Sequence, residues 1–312
     1  MQEVNVVPIS LADQRMLAPL MDEEVRCWIA ELGWDYSPVR AILSSYMAQN
    51  LLPGYVALDA NRAFGYAYFL MYQTKGIIGT VFAPKTPHQQ KVADEILLRC
   101  IQAIKDAEHI KRVEAQIMPF QNLNLTAGFT RHGFQSYTRY FMELELEKYA
   151  PENRQSDATL IPWDNAHLAR AAAVVLQSYQ DQADALICSD YCTLGGCESY
   201  LHSLVQNPGC GSFFPDGSFM AIGDKGEPCG FVLGSIISAS AGMIPQISIH
   251  PGYQGHGLGI ALMERALLQF RKQGFRTVSL TVTKKNCRAF EWYQRLGFKV
   301  RKEFGAYVWE RA

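Results

Sequence analysis

The sequence predicts two α/β domains in tandem, and three observations lead to that prediction. A chain of 312 residues has the length of two average domains. Hydrophobic residues make up 48% of the chain and aromatic residues 12%, which is enough to fill two cores. Landmark residues also recur at an offset of 164 to 167 residues: 131–134 with 295–298, Val113 with Val278, and Pro84 with Pro251. Because this period exceeds solenoid length, we interpret it as a duplicated domain rather than a chance likeness of two α/β domains.

The first half begins with helices and continues with strands. Residues 10–13 form a helix start, after which apolar residues recur every three or four positions up to residue 32. A second helical piece over 39–49 ends at the Leu-Pro-Gly break at 52–54. Runs rich in β-branched and aromatic residues predict strands, and an amphipathic run predicts one more helix: strands 55–59, 64–73, 76–82, 113–118 and 138–146, and helix 92–107.

The second half repeats this order of elements. The polar segment 147–157, which contains Pro151, is typical of a linker, so we expect domains at 1–148 and 157–312. Asp164 is a candidate cap for a helix over 166–179, and a further helical region ends at 206. The remaining pattern predicts strands 218–223, 228–238, 243–250, 277–283, 298–300 and 306–310, and helices 260–273 and 286–296.

Composition excludes several classes of protein. A formal net charge of −1 does not supply the positive field that nucleic acids or polybasic membrane binding require, so we expect neither partner. Residues 1–15 contain Glu3 and Asp13 and no apolar run, which is unlike a secretory signal. The longest uncharged stretch, 231–249, has the glycine, serine and proline of a β-hairpin rather than of a membrane span. We therefore expect a cytoplasmic protein.

The eight cysteines favour reduced thiols over a metal site. They contain no Cys-x-x-Cys pair, and a cytoplasmic protein keeps its thiols reduced. Cys188, Cys192, Cys197 and Cys210 do cluster in the sequence, with His202 nearby. Zinc sites have tighter paired spacing, so we expect no metal and keep a metal-binding module as the weaker alternative.

A glycine-rich turn lies between a short apolar strand and a long amphipathic helix. Its residues are Gln254, Gly255, His256, Gly257, Leu258 and Gly259. Glycines at alternate positions allow a ligand to approach the backbone closely and allow positive φ angles. The first N–H groups of the following helix have no intrahelical partner and carry the positive end of its dipole. The turn is therefore a candidate phosphate site.

Three phosphate-binding patterns can be compared with this turn. A nucleotide P-loop requires Lys-Ser or Lys-Thr after the glycines, and neither pair follows here. A dinucleotide fingerprint requires the spacing G-x-G-x-x-G and an acidic residue on the next strand, whereas this turn has G-x-G-x-G and strand 277–283 has no acid. The third pattern, Gln/Arg-x-x-Gly-x-Gly/Ala, is filled completely by Gln254, Gly257 and Gly259.

This third pattern resembles the GCN5-related N-acetyltransferase (GNAT) superfamily. A second block strengthens the resemblance, namely Asn286-x-x-Ala289-x-x-x-Tyr293-x-x-x-Gly297-Phe298. The likeness is clearest over 243–310, weaker over 157–242, and degenerate in the first half. It implies two tandem GNAT-like domains of the α/β class, each with a twisted, mostly antiparallel mixed sheet flanked by helices. It also implies an N-acetyltransferase that passes an acetyl group from acetyl-CoA directly to an amine.

The resemblance assigns roles to particular residues. Backbone N–H groups of the glycine turn would bind the pyrophosphate of acetyl-CoA. The backbone of Ile247, Ser248 and Ile249, on a strand that splays from its parallel neighbour, would bond the pantetheine and polarise the acetyl carbonyl. Asn286 would contact the pantetheine arm. Tyr293 would protonate the departing thiolate, since a phenol of pKa near 10 is a suitable proton source for a thiolate of pKa about 8.5.

Two parts of the expected machinery are missing from the sequence. Residues 241–250 contain no Asp or Glu, so the strand carboxylate of some relatives is absent. A water chain or one residue of the preceding helical region would then take the amine proton: Asp181, Asp184, Asp190, Tyr191 or Glu198. In the first half, residues 85–90 read Lys-Thr-Pro-His-Gln-Gln, and proline removes an N–H donor there. The first domain is therefore expected to hold no pyrophosphate.

These gaps leave questions of partner and activity open. A non-catalytic acyl-CoA-binding or regulatory protein remains the alternative to an enzyme. The acceptor is expected to be a small-molecule or peptide amine, whose identity the sequence does not give. The oligomeric state is also open, and a monomer is compatible with a chain whose two domains already pair.

Overall fold

The computed structural model describes residues 5–59, 62–152, 156, 158–180 and 182–311. The strands within these ranges are β1 (Asn5–Pro8), β2 (Gly54–Asp59), β3 (Arg62–Tyr72), β4 (Lys75–Phe82), β5 (Arg112–Ile117), β6 (Gln135–Glu145), β7 (Thr159–Pro162), β8 (Ser212–Ile222), β9 (Pro228–Ser238), β10 (Ala241–Ile249), β11 (Thr277–Thr283) and β12 (Lys299–Glu310). The α-helices are α1 (Gln14–Leu32), α2 (Ser37–Ala48), α3 (Gln89–Asp106), α4 (Thr126–Arg131), α5 (Leu168–Tyr179), α6 (Ala183–Ile187), α7 (Leu194–Gln206), α8 (Leu258–Lys272) and α9 (Cys287–Arg295).

The chain forms two compact units. The first unit comprises Met1–Arg139 and Glu303–Ala312, and the second comprises Tyr140–Lys302. These bounds differ from the sequence-based division at 1–148 and 157–312. The last ten residues lie in the first unit because the end of β12 pairs with β5 there, from Gly305 opposite Ile117 onward. Four of the eleven residues of the linker expected at 147–157, namely 153–155 and 157, lie outside the described ranges.

The first unit has a mixed sheet in the order β1-β2-β3-β4-β5-β12. Adjacent strands are antiparallel except β4 and β5, which are parallel. Helix α3 packs on β2, β3 and β4 through a stripe of buried residues that includes Ile96, Leu97 and Ile104. Helix α1 packs against β3 and begins at Asp13, whose carboxylate accepts a hydrogen bond from the Arg15 N–H.

A buried carboxyl group lies on α1 of the first unit. Glu24 is 2% exposed, and its Oε1 accepts hydrogen bonds from Thr80 Oγ1 at 3.0 Å and Trp28 Nε1 at 3.3 Å. The Tyr66 hydroxyl donates to its Oε2. Burial raises the pKa of Glu24, and the three hydrogen bonds act in the opposite direction. Because the strand residue Thr80 takes part, this group joins α1 to β4.

The second unit repeats this arrangement in the order β6-β11-β10-β9-β8-β7. Its β10 and β11 are parallel, and the pairs from β7 to β10 are antiparallel. Successive strand residues point to opposite faces. Val232 packs into the core that contains α8, whereas Phe231 and Leu233 pack into the core that contains α5 and α7. The sheet is therefore covered on both faces.

The predicted fold class is confirmed: the chain has mixed, mostly antiparallel sheets flanked by helices. One prediction of detail is wrong, because the two strands expected at 298–300 and 306–310 are a single strand, β12. The short strands β1 and β7 and the short helices α4 and α6 were not predicted. Each has four to six residues, which is too few to show a hydrophobic period.

Helices in the described ranges are all too short or too polar to cross a membrane.

Candidate functional site

Strands β10 and β11 of the second unit separate part-way along their length. Their parallel register runs from Ala241 opposite Thr277 to Ile244 opposite Leu280, and both strands continue beyond it. Pro245, which has no N–H to donate, follows at a point where the register of β10 with β9 also shifts. From residue 246 onward, β10 keeps its pairing with β9 on one side and opens a gap toward β11 on the other.

The glycine turn connects the end of β10 to α8. Gly255 has φ +86° and Gly257 has φ +83°, values that an L-residue with a Cβ adopts only under strain. Gly257 is the N-cap of α8, and no side chain in the described part of the chain caps this helix. The first intrahelical hydrogen bond joins the Ala261 N–H to the Gly257 carbonyl. The N–H groups before Ala261 therefore remain available to an anion.

Gly259 differs from the other two glycines of the turn. It lies in the first turn of α8, and a Cβ built there would be 3.6 Å from both Ile249 Cγ1 and the Trp292 ring. This is an ordinary van der Waals distance. Conformation therefore requires glycine at 255 and 257, whereas at 259 the structure has room for alanine.

Side chains brace the turn from both ends. Gln254 Nε2 donates to the Ile249 carbonyl at 3.1 Å, and its Oε1 accepts from Arg288 Nη1 at 3.1 Å. Tyr253 donates its hydroxyl to the Glu227 carboxylate, and this hydrogen bond raises the pKa of Tyr253 to about 12. The turn is thus held by β10, by α9 and by the residue that precedes β9.

Helix α9 contributes the other two predicted site residues. Asn286 is its N-cap, with Oδ1 accepting from the Ala289 N–H at 3.2 Å. Tyr293 lies on the buried face of α9 with 7% of its surface exposed. Its ring centroid is 4.8 Å from that of Trp292 and 5.9 Å from that of Phe298.

One cavity of about 390 Å³ brings these elements together. It is lined by nine of the eleven predicted site residues: Ile247, Ser248, Ile249, Gln254, Gly255, Gly257, Gly259, Asn286 and Tyr293. The other two point elsewhere, since the Leu258 side chain is buried in the core and His256 is exposed. Both residues belong to the turn through their backbone.

Sequence reasoning missed the end of the cavity that lies at α5. Ser178, Tyr179 and Gln182 line it there. Behind them Gln246, 3% exposed, donates through Nε2 to Tyr179 Oη at 3.0 Å and to Ser248 Oγ at 2.8 Å. A glutamine within the uncharged run 231–249 was the available signal, because a buried amide must find polar partners.

The candidate bases take different places in the structure. Asp181 lies outside the described residues. Asp184 is buried against Thr283 and Asn286, and Tyr191 donates to Gln246 Oε1 at 3.3 Å. Burial raises the pKa of Tyr191 well above its ordinary value, so its phenol stays protonated. None of the four described candidates lines the cavity: Asp184, Asp190, Tyr191 and Glu198.

The first unit has the same strand separation but different chemistry. Its parallel register also covers four pairs, from Lys75 opposite Arg112 to Ile78 opposite Ala115. The helix that follows, α3, is entered without a glycine, and the Gln89 N–H already donates to the Thr86 carbonyl at 3.1 Å.

The position of the candidate acid also differs in the first unit. The Phe298 N–H donates to the Tyr293 carbonyl, and the matching Phe134 N–H donates to the carbonyl of Phe129. Phe129 thus stands where the second unit has Tyr293, and it has no hydroxyl group. The first unit therefore lacks both the glycine turn and the phenol.

Among the described residues, no three His, Cys, Asp or Glu side chains are grouped so as to hold a metal ion. Cys197 Sγ instead contacts the Asp190 carbonyl at 3.4 Å, and Cys192 Sγ contacts the Ala185 carbonyl at 3.6 Å.

Solved structures share the fold over nearly the whole chain. A GCN5-related N-acetyltransferase from Sphaerobacter thermophilus superposes with a TM-score of 0.70 at 17% identity, covering 98% of this chain and 95% of that one. A tandem GNAT protein from the clavulanic acid biosynthesis pathway gives a TM-score of 0.63 at 14% identity, covering 99% and 98%. The chain thus has the fold of tandem GNAT proteins.

Sequence comparison gives the same family name for part of the chain. Residues 188–298, which include the cavity-lining turn and α9, match the acetyltransferase (GNAT) family. An uncharacterized N-acetyltransferase of Methanocaldococcus jannaschii is 34% identical over 84 residues, which are 25% of this chain and 37% of that protein. The ribosomal protein bS18-alanine N-acetyltransferase of Escherichia coli K12 is 33% identical over 74 residues, 24% of this chain and 49% of that protein. The chain thus spans less than half the length of these two relatives.

Proposed function

We propose that the chain is an N-acetyltransferase that binds acetyl-CoA in its second unit and passes the acetyl group directly to an amine. The observation that carries this proposal is the convergence of three features on one cavity: a separated strand pair, the uncapped N-terminus of a helix, and a buried tyrosine on the next helix. The family match supports acetyl transfer, and the chemistry of each feature suits one part of an acyl-CoA.

The N-terminus of α8 suits the pyrophosphate of acetyl-CoA. Its first N–H groups and its dipole attract negative charge, and Arg288 adds a cation at the cavity wall. The pantetheine arm would continue toward Asn286 and the backbone of 247–249. There it can pair with the peptide groups that β10 turns toward the gap, as an added strand would.

The transfer step follows from this placement. The amine nitrogen attacks the thioester carbonyl carbon, the carbon–sulfur bond breaks, and the sulfur leaves as a thiolate. The amine releases one proton to a chain of water molecules, and this proton restores the Tyr293 phenol after Tyr293 has protonated the thiolate. Backbone N–H groups of 247–249 stabilise the oxyanion that forms on the carbonyl oxygen. Tyr293 donates its phenolic proton to the thiolate. The acceptor would enter from the α5 end, where Ser178, Tyr179 and Gln182 present neutral polar groups.

The proposal is tested in two stages. Titration calorimetry with acetyl-CoA measures binding, and a free-thiol assay with a panel of amines, amino sugars, aminoglycosides and peptide N-termini measures transfer. We expect micromolar binding and acceptor-dependent release of one thiol per acetyl group. Binding without release by any acceptor would favour a non-catalytic acyl-CoA-binding protein, and absence of binding would refute the proposal.

A further inference from the structure

A buried aspartate contacts the end of β11, beyond the point where that strand separates from β10. Asp184 lies on the five-residue helix α6 and is 8% exposed. Its Oδ1 accepts a hydrogen bond from Thr283 Oγ1 at 2.6 Å, and its Oδ2 accepts one from Asn286 Nδ2 at 3.3 Å. Thr283 is the last residue of β11 and lies beyond the point where that strand leaves β10.

The two partners of Asp184 belong to elements other than its own helix and α5. Helix α6 follows α5, which packs against β9 and β10. Thr283 and Asn286 belong to the other edge, at the end of β11 and the start of α9. Gln182, two residues before Asp184, lines the cavity, and so does Asn286. The aspartate therefore joins the acceptor side of the cavity to the side expected to hold the cofactor arm.

This contact decides which way the Asn286 amide faces. A carboxylate can only accept, so Asn286 must turn its NH₂ group toward Asp184. The Ala289 N–H can only donate, so the amide oxygen must face Ala289, as the 3.2 Å contact requires. The Asn286 NH₂ group has two N–H donors. One of them donates to Asp184, and the other can donate to a ligand.

We propose that Asp184 is a positioning residue for the acyl donor: it fixes the Asn286 amide so that its second N–H donates to the pantetheine arm, and it holds the two edges of the gap at a set distance. This inference rests on the proposed function, since it assumes an acyl-CoA in the cavity. It assigns Asp184 no proton transfer, because both of its carboxylate oxygens already accept hydrogen bonds from neighbours.

The test compares two ligands and three variants by calorimetry. Acetyl-CoA has the pantetheine arm, whereas 3′,5′-ADP has the nucleotide end alone. Asp184→Ala should weaken acetyl-CoA binding about tenfold, the usual effect of losing a hydrogen bond to a charged group, and should leave 3′,5′-ADP binding unchanged. Asp184→Asn keeps an acceptor oxygen for Asn286 and should recover most of the lost affinity. Asp224→Ala removes a carboxylate from an exposed turn and is the control for charge.

Each other outcome overturns the inference. Unchanged acetyl-CoA binding by Asp184→Ala shows that the contact does not position the donor, and equal loss of both ligands shows a general disturbance of the fold. Full affinity but no turnover in Asp184→Asn would make Asp184 a base instead. Should Asp184→Ala not fold, Thr283→Val is measured in its place, with a weaker loss of acetyl-CoA affinity and unchanged 3′,5′-ADP binding expected. A wild-type chain that binds neither ligand refutes the proposed function as well, whereas the other outcomes leave it standing.

Discussion

Two glycines at opposite ends of α8 provide a direct test of the anion site. Gly257 caps the N-terminus with φ +83°, and Gly274 follows the C-terminus with φ +86° and nothing within 4 Å of a Cβ built there. Alanine at either position forces a left-handed conformation on a residue with a Cβ, at a cost of roughly 1–2 kcal/mol. Gly257→Ala and Gly274→Ala should therefore destabilise the fold by similar amounts.

Ligand binding should separate the two variants. At Gly257 the chain can relieve the strain by rotating the peptide groups that precede Ala261, and these groups are the proposed donors to the pyrophosphate. We expect Gly257→Ala to bind acetyl-CoA at least about tenfold more weakly, a loss of about 1.4 kcal/mol. Gly274→Ala has no part in the cavity and should bind as the wild type does.

Chemical denaturation measures the first effect and titration calorimetry the second. Gly259→Ala is added to the denaturation series. The φ angle of Gly259 is ordinary, and an added Cβ would lie 3.6 Å from its nearest neighbours, so we expect little loss of stability. Wild-type affinity in Gly257→Ala, or an equal loss of affinity in Gly274→Ala, would refute an anion site at the N-terminus of α8. A clear destabilisation by Gly259→Ala would refute the distinction between the three glycines of the turn.

Three further predictions follow from individual side chains. Tyr293→Phe should lower kcat by about 10² to 10⁴ with acetyl-CoA affinity unchanged, and an unchanged kcat in the thiol assay would exclude Tyr293 as the acid. Glu24 has a folded-state pKa above its unfolded value, so its contribution to stability is complete below the unfolded pKa and is lost as the pH rises through the folded pKa. Glu24→Gln should therefore raise the Tm more at pH 8 than at pH 4, and equal shifts at both pH values would contradict this. Gln254→Ala removes the brace between β10 and α9 and should weaken acetyl-CoA binding several-fold, whereas unchanged calorimetric affinity would show that the turn needs no brace.

Local signals in the sequence were sufficient for the fold class and for most of the cavity. The glycines at 255 and 257 predicted positive φ angles, and both residues have positive φ angles. The apolar stripes of α3 and α8 predicted that one face of each helix is buried, and residues such as Ile96 and Leu262 are fully buried. Glycine is the residue that adopts positive φ without strain, and apolar residues at helical spacing mark a buried face. Both signals are local, so a single sequence is enough to detect them.

Features that depend on distant residues could not be predicted. Asp184 and Asn286, which form a hydrogen bond, are 102 positions apart in the sequence. Helix α6 is also too short to show a hydrophobic period, so the sequence does not predict which of its residues are buried. The hydrogen-bond partner of Gln246 could not be predicted, because Tyr179 lies 67 positions away on α5. The shift at Pro245 that ends the pairing of β10 with β11 likewise depends on three strands at once. Such contacts are set by tertiary packing, which a single sequence does not encode locally.

The end strand of each repeat contributes to the core of the other repeat. Strand β6 belongs to the first repeat, yet its Met142 and Leu144 are buried in the core of the second unit. Strand β12 belongs to the second repeat, yet its Tyr307 packs in the core of the first unit. Each such side chain stabilises its core by about 1.5–3 kcal/mol, and a domain has only about 5–15 kcal/mol in total. Because β6 and β12 have similar apolar patterns, the sequence cannot show which core each one enters. A chain divided between the repeats would remove buried residues from both cores, so each core depends on a strand of the other repeat.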